Sequence, residues 1–321
     1  MINLTLSALL LIGGFILLVK GADALVEGAS SLAQRWSISE MAIGLTIVAF
    51  GTSTPELAVN VFASLQGRNG IAFGNIIGSN IANILLILGI AGIIYPIKTE
   101  KNTVWREIPF ALLAAVVLLV LSNDLFLNGD ADQILSRSDG ILLLLFFITF
   151  LSYVFGISKV ESKDTLDLTI MSGVKISLYI MMGLVGLVVG GKLVVEGSIK
   201  IAEWFAVSEK LIGLTIVALG TSLPELFTSA VAAYRRKSDI AIGNIVGSNI
   251  FNVFFVMGLS ALIAPVHFQT ALNIDLLVLI GSSFMLFMTM FTGKKRSLDR
   301  WEAILFIVGY GSYLTFLFIR K

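Results

Sequence analysis

Apolar residues run along this chain in blocks too long for most soluble helices, separated by short polar connectors. A helix that crosses the hydrocarbon of a bilayer needs about 20 mainly apolar residues. Windows of that length predict about ten spans, near 4–32, 40–66, 70–94, 107–122, 139–157, 174–205, 210–234, 239–263, 273–292 and 302–319. The first and sixth run long and are expected to tilt. The first apolar run, Leu4 to Val19, lacks a positive start and a cleavage site followed by a soluble chain, so it reads as a retained span. The central connector, Ser158 to Gly173, has no room for a folded unit, and no soluble regulatory domain is expected in the chain.

The polar positions inside these spans repeat. IGLTIVAFGTSTPEL at Ile43 to Leu57 recurs as IGLTIVALGTSLPEL at Ile212 to Leu226, and GNIIGSNIAN at Gly74 to Asn83 recurs as GNIVGSNIFN at Gly243 to Asn252. Both blocks are shifted by 169 residues, and 24 of 41 positions match without a gap between 43–83 and 212–252. Glu27 and Glu196 also fall in this register. Five spans separate the copies, and an odd number makes the second copy enter the membrane from the opposite face. The expected fold is therefore an all-α polytopic membrane protein with two inverted five-helix repeats and broken helices at the midplane, as in many secondary transporters. The first repeat is 1–157, a short cytoplasmic linker is 158–173, and the second, inverted repeat is 174–321. Duplication for stability alone explains less, because the residues that recur are polar.

Glu56 and Glu225 fall in the middle of their spans, where an ionisable group costs a few kcal/mol. Pro55 and Pro224 supply no N–H to the carbonyls of Gly51 and Gly220, so each helix should break around Gly-Thr-Ser. Freed backbone at that depth is tolerated only where protein or a water-filled cavity satisfies it. Carbonyls at the end of a half-helix suit a cation. Ser53-x-x-Glu56 and Ser222-x-x-Glu225 also match a capping box, which would account for the restart of each helix. Inverted symmetry should bring the two breaks face to face. Two carboxylates, hydroxyls and carbonyls would then form an all-oxygen site of the kind hard cations such as calcium prefer. Their two negative charges match one calcium, two sodium ions or two protons. In the second block, Ser79 and Asn83, like Ser248 and Asn252, are spaced i, i+4 on one helix face and add neutral ligands. Asn75, Asn80, Asn244 and Asn249 read equally as helix glue or as function. Gly44, Gly74, Gly78, Gly213, Gly243 and Gly247 are expected to permit close helix approach, and Glu27 and Glu196 are lesser candidates for lining an ion path.

Composition narrows the classes further. The chain is 57% hydrophobic and 13% charged, about half the charged share of a soluble domain. A net charge of +1 gives no reason to expect nucleic acid as a partner. With no cysteine and a lone His267, thiolate and histidine metal sites are excluded, and no cofactor is expected. Lys and Arg are concentrated in connectors 1–2, 3–4, 5–6, 7–8 and 9–10, including Lys98, Lys101, Arg235, Arg236, Lys237, Lys294, Lys295 and Arg296. The positive-inside rule places that face in the cytoplasm of a multi-pass plasma (inner) membrane protein, with both termini outside.

The paired GTSxPEL and GNxxGSNxxN blocks resemble those of the cation/calcium exchanger superfamily, nearest its prokaryotic sodium/calcium antiporters. The resemblance implies an antiporter, not an enzyme, whose substrates are calcium and sodium ions. Glu56 and Glu225 would be the central calcium ligands, with the carbonyls of Thr52 and Thr221. Sodium sites would draw on Ser53, Ser222, Ser79, Ser248 and the carbonyls of Ala49 and Ala218, with Asn83 and Asn252 flanking the centre. The resemblance further implies alternating access, with the long first and sixth helices sliding against the rest. Some members carry Asp where this chain has Asn252, which leaves ion count and potassium dependence open. The acidic block typical of the proton-coupled calcium exchangers is absent at Glu56 and Glu225. Proton/calcium or potassium-dependent exchange, a passive cation channel and an intramembrane enzyme using the two glutamates remain as alternatives.

Overall fold

The structure is a computed structural model, and it describes residues 4–123, 133–157, 171–205 and 218–320. Most of the predicted linker and the first third of the predicted seventh span lie outside those residues. The helices are α1 (Leu4–Trp36), α2 (Glu40–Thr52), α3 (Thr54–Leu65), α4 (Gly70–Ile94), α5 (Thr103–Leu121) and α6 (Arg137–Ile157). They continue as α7 (Gly173–Trp204), α8 (Ala218–Gly220), α9 (Leu223–Tyr234), α10 (Ser238–Ile263), α11 (Asn273–Thr289) and α12 (Arg300–Ile319). Among the described residues eight helices are long and apolar enough to cross a membrane, or nine if the bent pair α2–α3 is one span. The expected ten is thus not reached within the described residues.

Large apolar side chains such as Leu9, Ile148 and Phe155 are exposed on the outer surface, while Phe73, Phe254 and Phe306 are fully buried. The interior is filled by α4 and α10, the two helices with the largest buried share. Each contains a stretch of π-helix, Ala82–Ile87 in α4 and Phe251–Met257 in α10, and α2 contains another at Gly44–Val48. A π-turn widens the helix and leaves carbonyls out of the regular ladder, a feature common at functional sites.

The two long helices α1 and α7 pack against each other antiparallel. A Cβ on Gly14 would come within 2.8 Å of the Gly190 carbonyl, one on Gly21 within 2.9 Å of the Gly183 carbonyl, and one on Gly197 within 2.9 Å of the Ser7 carbonyl. Glycine spaced by sevens on both helices therefore brings the backbones into contact. Gly44, Gly243 and Gly247 do the same between α2 and α10, where a Cβ on Gly44 would come within 3.1 Å of Gly243 Cα. Gly74 and Gly78 meet nothing within 4 Å among the described residues, and Gly213 lies outside them.

Two small antiparallel strand pairs tie connectors together. β1 (Ile97–Lys98) pairs with β4 (Ser297–Leu298), and β2 (Ile134–Leu135) pairs with β3 (Val266–His267). β1 and β3 are 169 residues apart, so each copy of this strand takes its partner from the other half of the chain. Arg235 pairs with Asp23 at 2.5 Å and with Glu27 at 3.4 Å, Arg35 donates to the Met171 carbonyl, and Arg236 lies over Tyr95. Together with β1–β4 these contacts gather the described residues of connectors 1–2, 3–4, 5–6, 7–8 and 9–10 on one face. The correspondence between halves is not complete. Leu184 of α7 presses on Gly51, but its counterpart Phe15 of α1 meets Phe227 rather than Gly220, which faces Val195. Phe227 is seven residues beyond Gly220, about 10 Å along a helix.

Candidate functional site

α2 and α3 meet at an angle of 48° at Ser53, and α8 and α9 are separated by Thr221 and Ser222. Pro55 and Pro224 lie at the start of α3 and α9 and place Glu56 and Glu225 in the first helical turn, where the dipole favours an anion. Both glutamates are 1% exposed.

The capping boxes that the sequence suggests do not form. Neither Ser53 nor Ser222 makes a side-chain cap bond to its own helix. Each hydroxyl crosses to the glutamate of the other break: Ser53 Oγ donates to Glu225 Oε1 at 2.9 Å, and Ser222 Oγ donates to Glu56 Oε1 at 3.3 Å. A capping box does exist elsewhere, at Asp299 and Glu302 of α12. Ser79 Oγ of α4 also donates to Glu56 Oε1, at 3.4 Å, and lies 3.3 Å from Ser222 Oγ. Ser248 of α10 sits beside the Glu225 carboxylate without meeting it at hydrogen-bond geometry, as Thr221 does beside Glu56. The structure thus brings Glu56, Glu225, Ser53, Ser222, Ser79, Ser248 and Thr221 together.

Thr52 is fully buried beside Glu225, and its hydroxyl is 3.0 Å from Asn244 Oδ1 and 3.3 Å from the Ala49 carbonyl. The Ala49 carbonyl also accepts from the Ser53 N–H at 3.0 Å. The two breaks differ here, because the Ser222 N–H bonds Leu219 rather than Ala218, the first residue of α8.

Asn83 and Asn252 each stand in a π-turn, and both are buried. Asn83 Nδ2 donates to Asn249 Oδ1 at 2.9 Å, and Asn252 Nδ2 donates to Asn80 Oδ1 at 3.0 Å. Asn80 and Asn249 in turn donate to each other's backbone carbonyls, at 3.1 and 3.3 Å. This four-asparagine lattice fixes the nitrogen end of Asn83 and Asn252 and leaves their oxygens without a partner. Asn75 and Asn244 buttress the breaks: each donates to the backbone carbonyl of its glutamate at 3.4 Å, and to Asn60 and Ser229 respectively. Spacing alone did not reveal Asn60 and Ser229. Their signal was that a polar residue recurs at the 169-residue shift in an apolar stretch. Glu27 and Glu196 are partly exposed instead, the first paired with Arg235 and the second with Lys192.

Six buried oxygens here have no hydrogen-bond partner: Glu56 Oε2, Glu225 Oε2, Asn83 Oδ1, Asn252 Oδ1, Thr221 Oγ1 and Ser248 Oγ. An unpaired buried polar atom costs about 1–3 kcal/mol, more when charged. A cation satisfies such a set, and oxygen-only ligands carrying two negative charges suit calcium or sodium. Among the described residues no cluster of three or more His, Cys, Asp or Glu side chains forms a metal site, so the charge available is that of the two glutamates.

Known proteins resemble this chain over most of its length. The chain is 36% identical over 270 residues to the inner membrane protein YrbG of Escherichia coli (strain K12), covering 81% of each protein. It is 34% identical to the sodium/calcium exchanger MaX1 of Methanosarcina acetivorans, covering 98% of this chain and 99% of that one. Its fold superposes with a TM-score of 0.84 on the sodium-calcium exchanger NCX_Mj soaked with 10 mM Na+ and 10 mM Sr2+, at 34% identity and over 97% of this chain and 98% of that one. The family described as sodium/calcium exchanger protein matches residues 6–156 and 175–319. This helical membrane protein belongs to the sodium/calcium exchanger family.

Proposed function

We propose that the protein is a secondary antiporter that exchanges sodium for calcium, holding its cargo between Glu56 and Glu225. The observation that carries this is the pair of facing, buried carboxylates, each with one oxygen bound by a serine from the opposite break and one oxygen free. The family is one of transporters, and the relatives MaX1 and NCX_Mj are named as sodium/calcium exchangers.

Calcium bound between the two acids neutralises both and takes up free oxygens of Glu56 and Glu225. Sodium ions compete for the same charge and add the hydroxyls of Ser79, Ser248, Ser53 and Ser222. Backbone carbonyls of Thr52, Thr221, Ala49 and Ala218 lie at the two breaks, and those of Ala49 are already engaged by Ser53 and Thr52. Asn83 and Asn252 supply neutral oxygens, so the site holds a charge of −2 whichever ion enters. Because neither ion can share that charge fully with the other, loading one expels the other.

The two halves of the chain, 1–157 and 174–321, are inverted repeats in this reading, and the exchange proceeds by alternating access. The antiparallel α1–α7 pair and the reciprocal β1–β4 and β3–β2 pairings support the inversion. The unequal seating of Phe15 and Leu184 supports a pair of long helices that can occupy two positions along the core. The face that gathers Arg35, Arg235 and Lys294 is cytoplasmic, with both termini outside. Calcium flux in sealed proteoliposomes tests the function: an outward sodium gradient should drive calcium uptake, and uptake should cease when the gradient is abolished. Uptake without any counter-ion gradient would indicate a channel. Uptake driven only by a pH gradient, or only with potassium present, would indicate the corresponding alternative exchanger.

A further inference from the structure

Away from the ion site, the β1–β4 pair floors a cleft of about 520 Å³ lined by Lys98, Thr99, Glu100, Lys101, Lys294, Lys295, Arg296 and Ser297. Five cations and one carboxylate give the lining a net charge of +4. None of the five cations forms an ion pair among the described residues. Arg296 is held in the left-handed region, φ 60°, by its N–H to the Met290 carbonyl at 2.8 Å and by the Thr99 N–H to its own carbonyl at 2.8 Å. That conformation is uncommon for a residue with a Cβ. Ser297 also lines the cleft; it is 3% exposed and its hydroxyl has no hydrogen-bond partner.

A charge count on one face suffices to orient a membrane protein. It does not require five cations and a buried, unpartnered hydroxyl to line one cleft at the meeting of four helix ends, those of α4, α5, α11 and α12. The surroundings identify the level of the cleft. Trp105 and Trp301 are more than half exposed beside it, Trp105 packs edge-on against the exposed ring of Phe291 at 5.4 Å, and the Trp301 indole nitrogen lies near Gly293. Amphipathic rings of this kind sit at the headgroup level of a bilayer. Directly along the same helices, Met288 of α11 and Leu305 of α12 expose apolar surface that acyl chains cover.

We propose that this cleft is a binding site for the headgroup of an anionic phospholipid, its phosphate held by Lys101, Lys294, Lys295 and the hydroxyl of Ser297. Basic pockets between transmembrane helices bind such headgroups through charge. The buried hydroxyl adds a directed donor that a diffuse positive surface lacks. The site is separate from Glu56 and Glu225, so its occupancy does not depend on which ions the protein exchanges.

The test is lipid retention by the purified full chain, counted by native mass spectrometry from mixed phosphatidylglycerol and phosphatidylcholine. The wild type should retain phosphatidylglycerol selectively. The triple variant Lys101→Gln, Lys294→Gln, Lys295→Gln should weaken that retention by about tenfold or more, with phosphatidylcholine unchanged. Ser297→Ala, which removes one hydroxyl and no charge, should weaken it a few-fold. Undiminished selective retention in both variants, each shown to be folded by its thermal melt, would overturn the proposal. If the triple variant does not fold, Lys294→Gln and Ser297→Ala decide the matter by the same criterion. Displacement of phosphatidylglycerol by millimolar inorganic phosphate would also overturn it, making this a site for a soluble anion.

Discussion

Replacing Glu225 by Gln changes one oxygen to an amide and leaves the shape of the site intact. Ser53 Oγ donates to Glu225 Oε1, and a glutamine oxygen can still accept that bond. Glu225 Oε2 has no partner, and an amide nitrogen placed there presents hydrogens to an incoming cation. The site falls from two negative charges to one. Removing one partner of a buried charge pair costs roughly 2–5 kcal/mol, which corresponds to a loss of about 30- to 5,000-fold in calcium affinity. Without ions, the variant should be at least as stable as the wild type, because a neutral amide costs less to bury than a carboxylate. The assay is calcium titration of the purified variant with a thermal melt in chelator and in calcium. Calcium should protect the wild type and fail to protect the variant. Calcium affinity within a few-fold of wild type would refute the reasoning, as would a variant that melts well below wild type in chelator.

Other consequences are as direct. Ser79→Ala and Ser248→Ala remove neutral oxygens that serve a monovalent ion more than a divalent one, so the sodium concentration for half-maximal calcium flux should rise more than the calcium dissociation constant; equal changes would point to packing. Asn80→Ala strands the Asn252 amide donor and the Asn249 carbonyl, at a cost of about 1–3 kcal/mol in stability, and frees Asn252 to turn its oxygen away; an unchanged melt and unchanged calcium affinity would remove the lattice from the account. A single cysteine introduced at position 237 should resist membrane-impermeant reagent in intact cells, while one at position 321 should react; the natural chain contains no cysteine, and the opposite pattern would reverse the orientation.

Much of this site is legible in the sequence because its physics is periodic or costly. Long apolar windows locate the helices to within a few residues, and a doubled glutamate beside a doubled proline in such a window demands an explanation. Long-range partners are less legible. The local match of Ser53 and Glu56 to a capping box is real as a pattern, but the hydroxyl donates its hydrogen to a buried carboxylate on the opposite break, and its oxygen does not accept from the helix's own N–H groups. The π-turns that carry Asn83 and Asn252 have no local signature, since they arise where α4 and α10 cross and exchange asparagine bonds. The sevenfold glycine spacing on α1 and α7 is present in the sequence, but small residues are common in apolar spans, so the spacing alone does not say which two helices touch.

The central claim, that calcium and sodium contend for one pair of carboxylates, is tested most directly by calcium binding to the purified protein at a series of sodium concentrations. The apparent calcium dissociation constant should rise with sodium, with a logarithmic slope above one because more than one monovalent ion is needed to replace a divalent one, and Glu56→Gln should bind calcium weakly at every sodium concentration. A calcium affinity that stays constant as sodium increases would contradict the account.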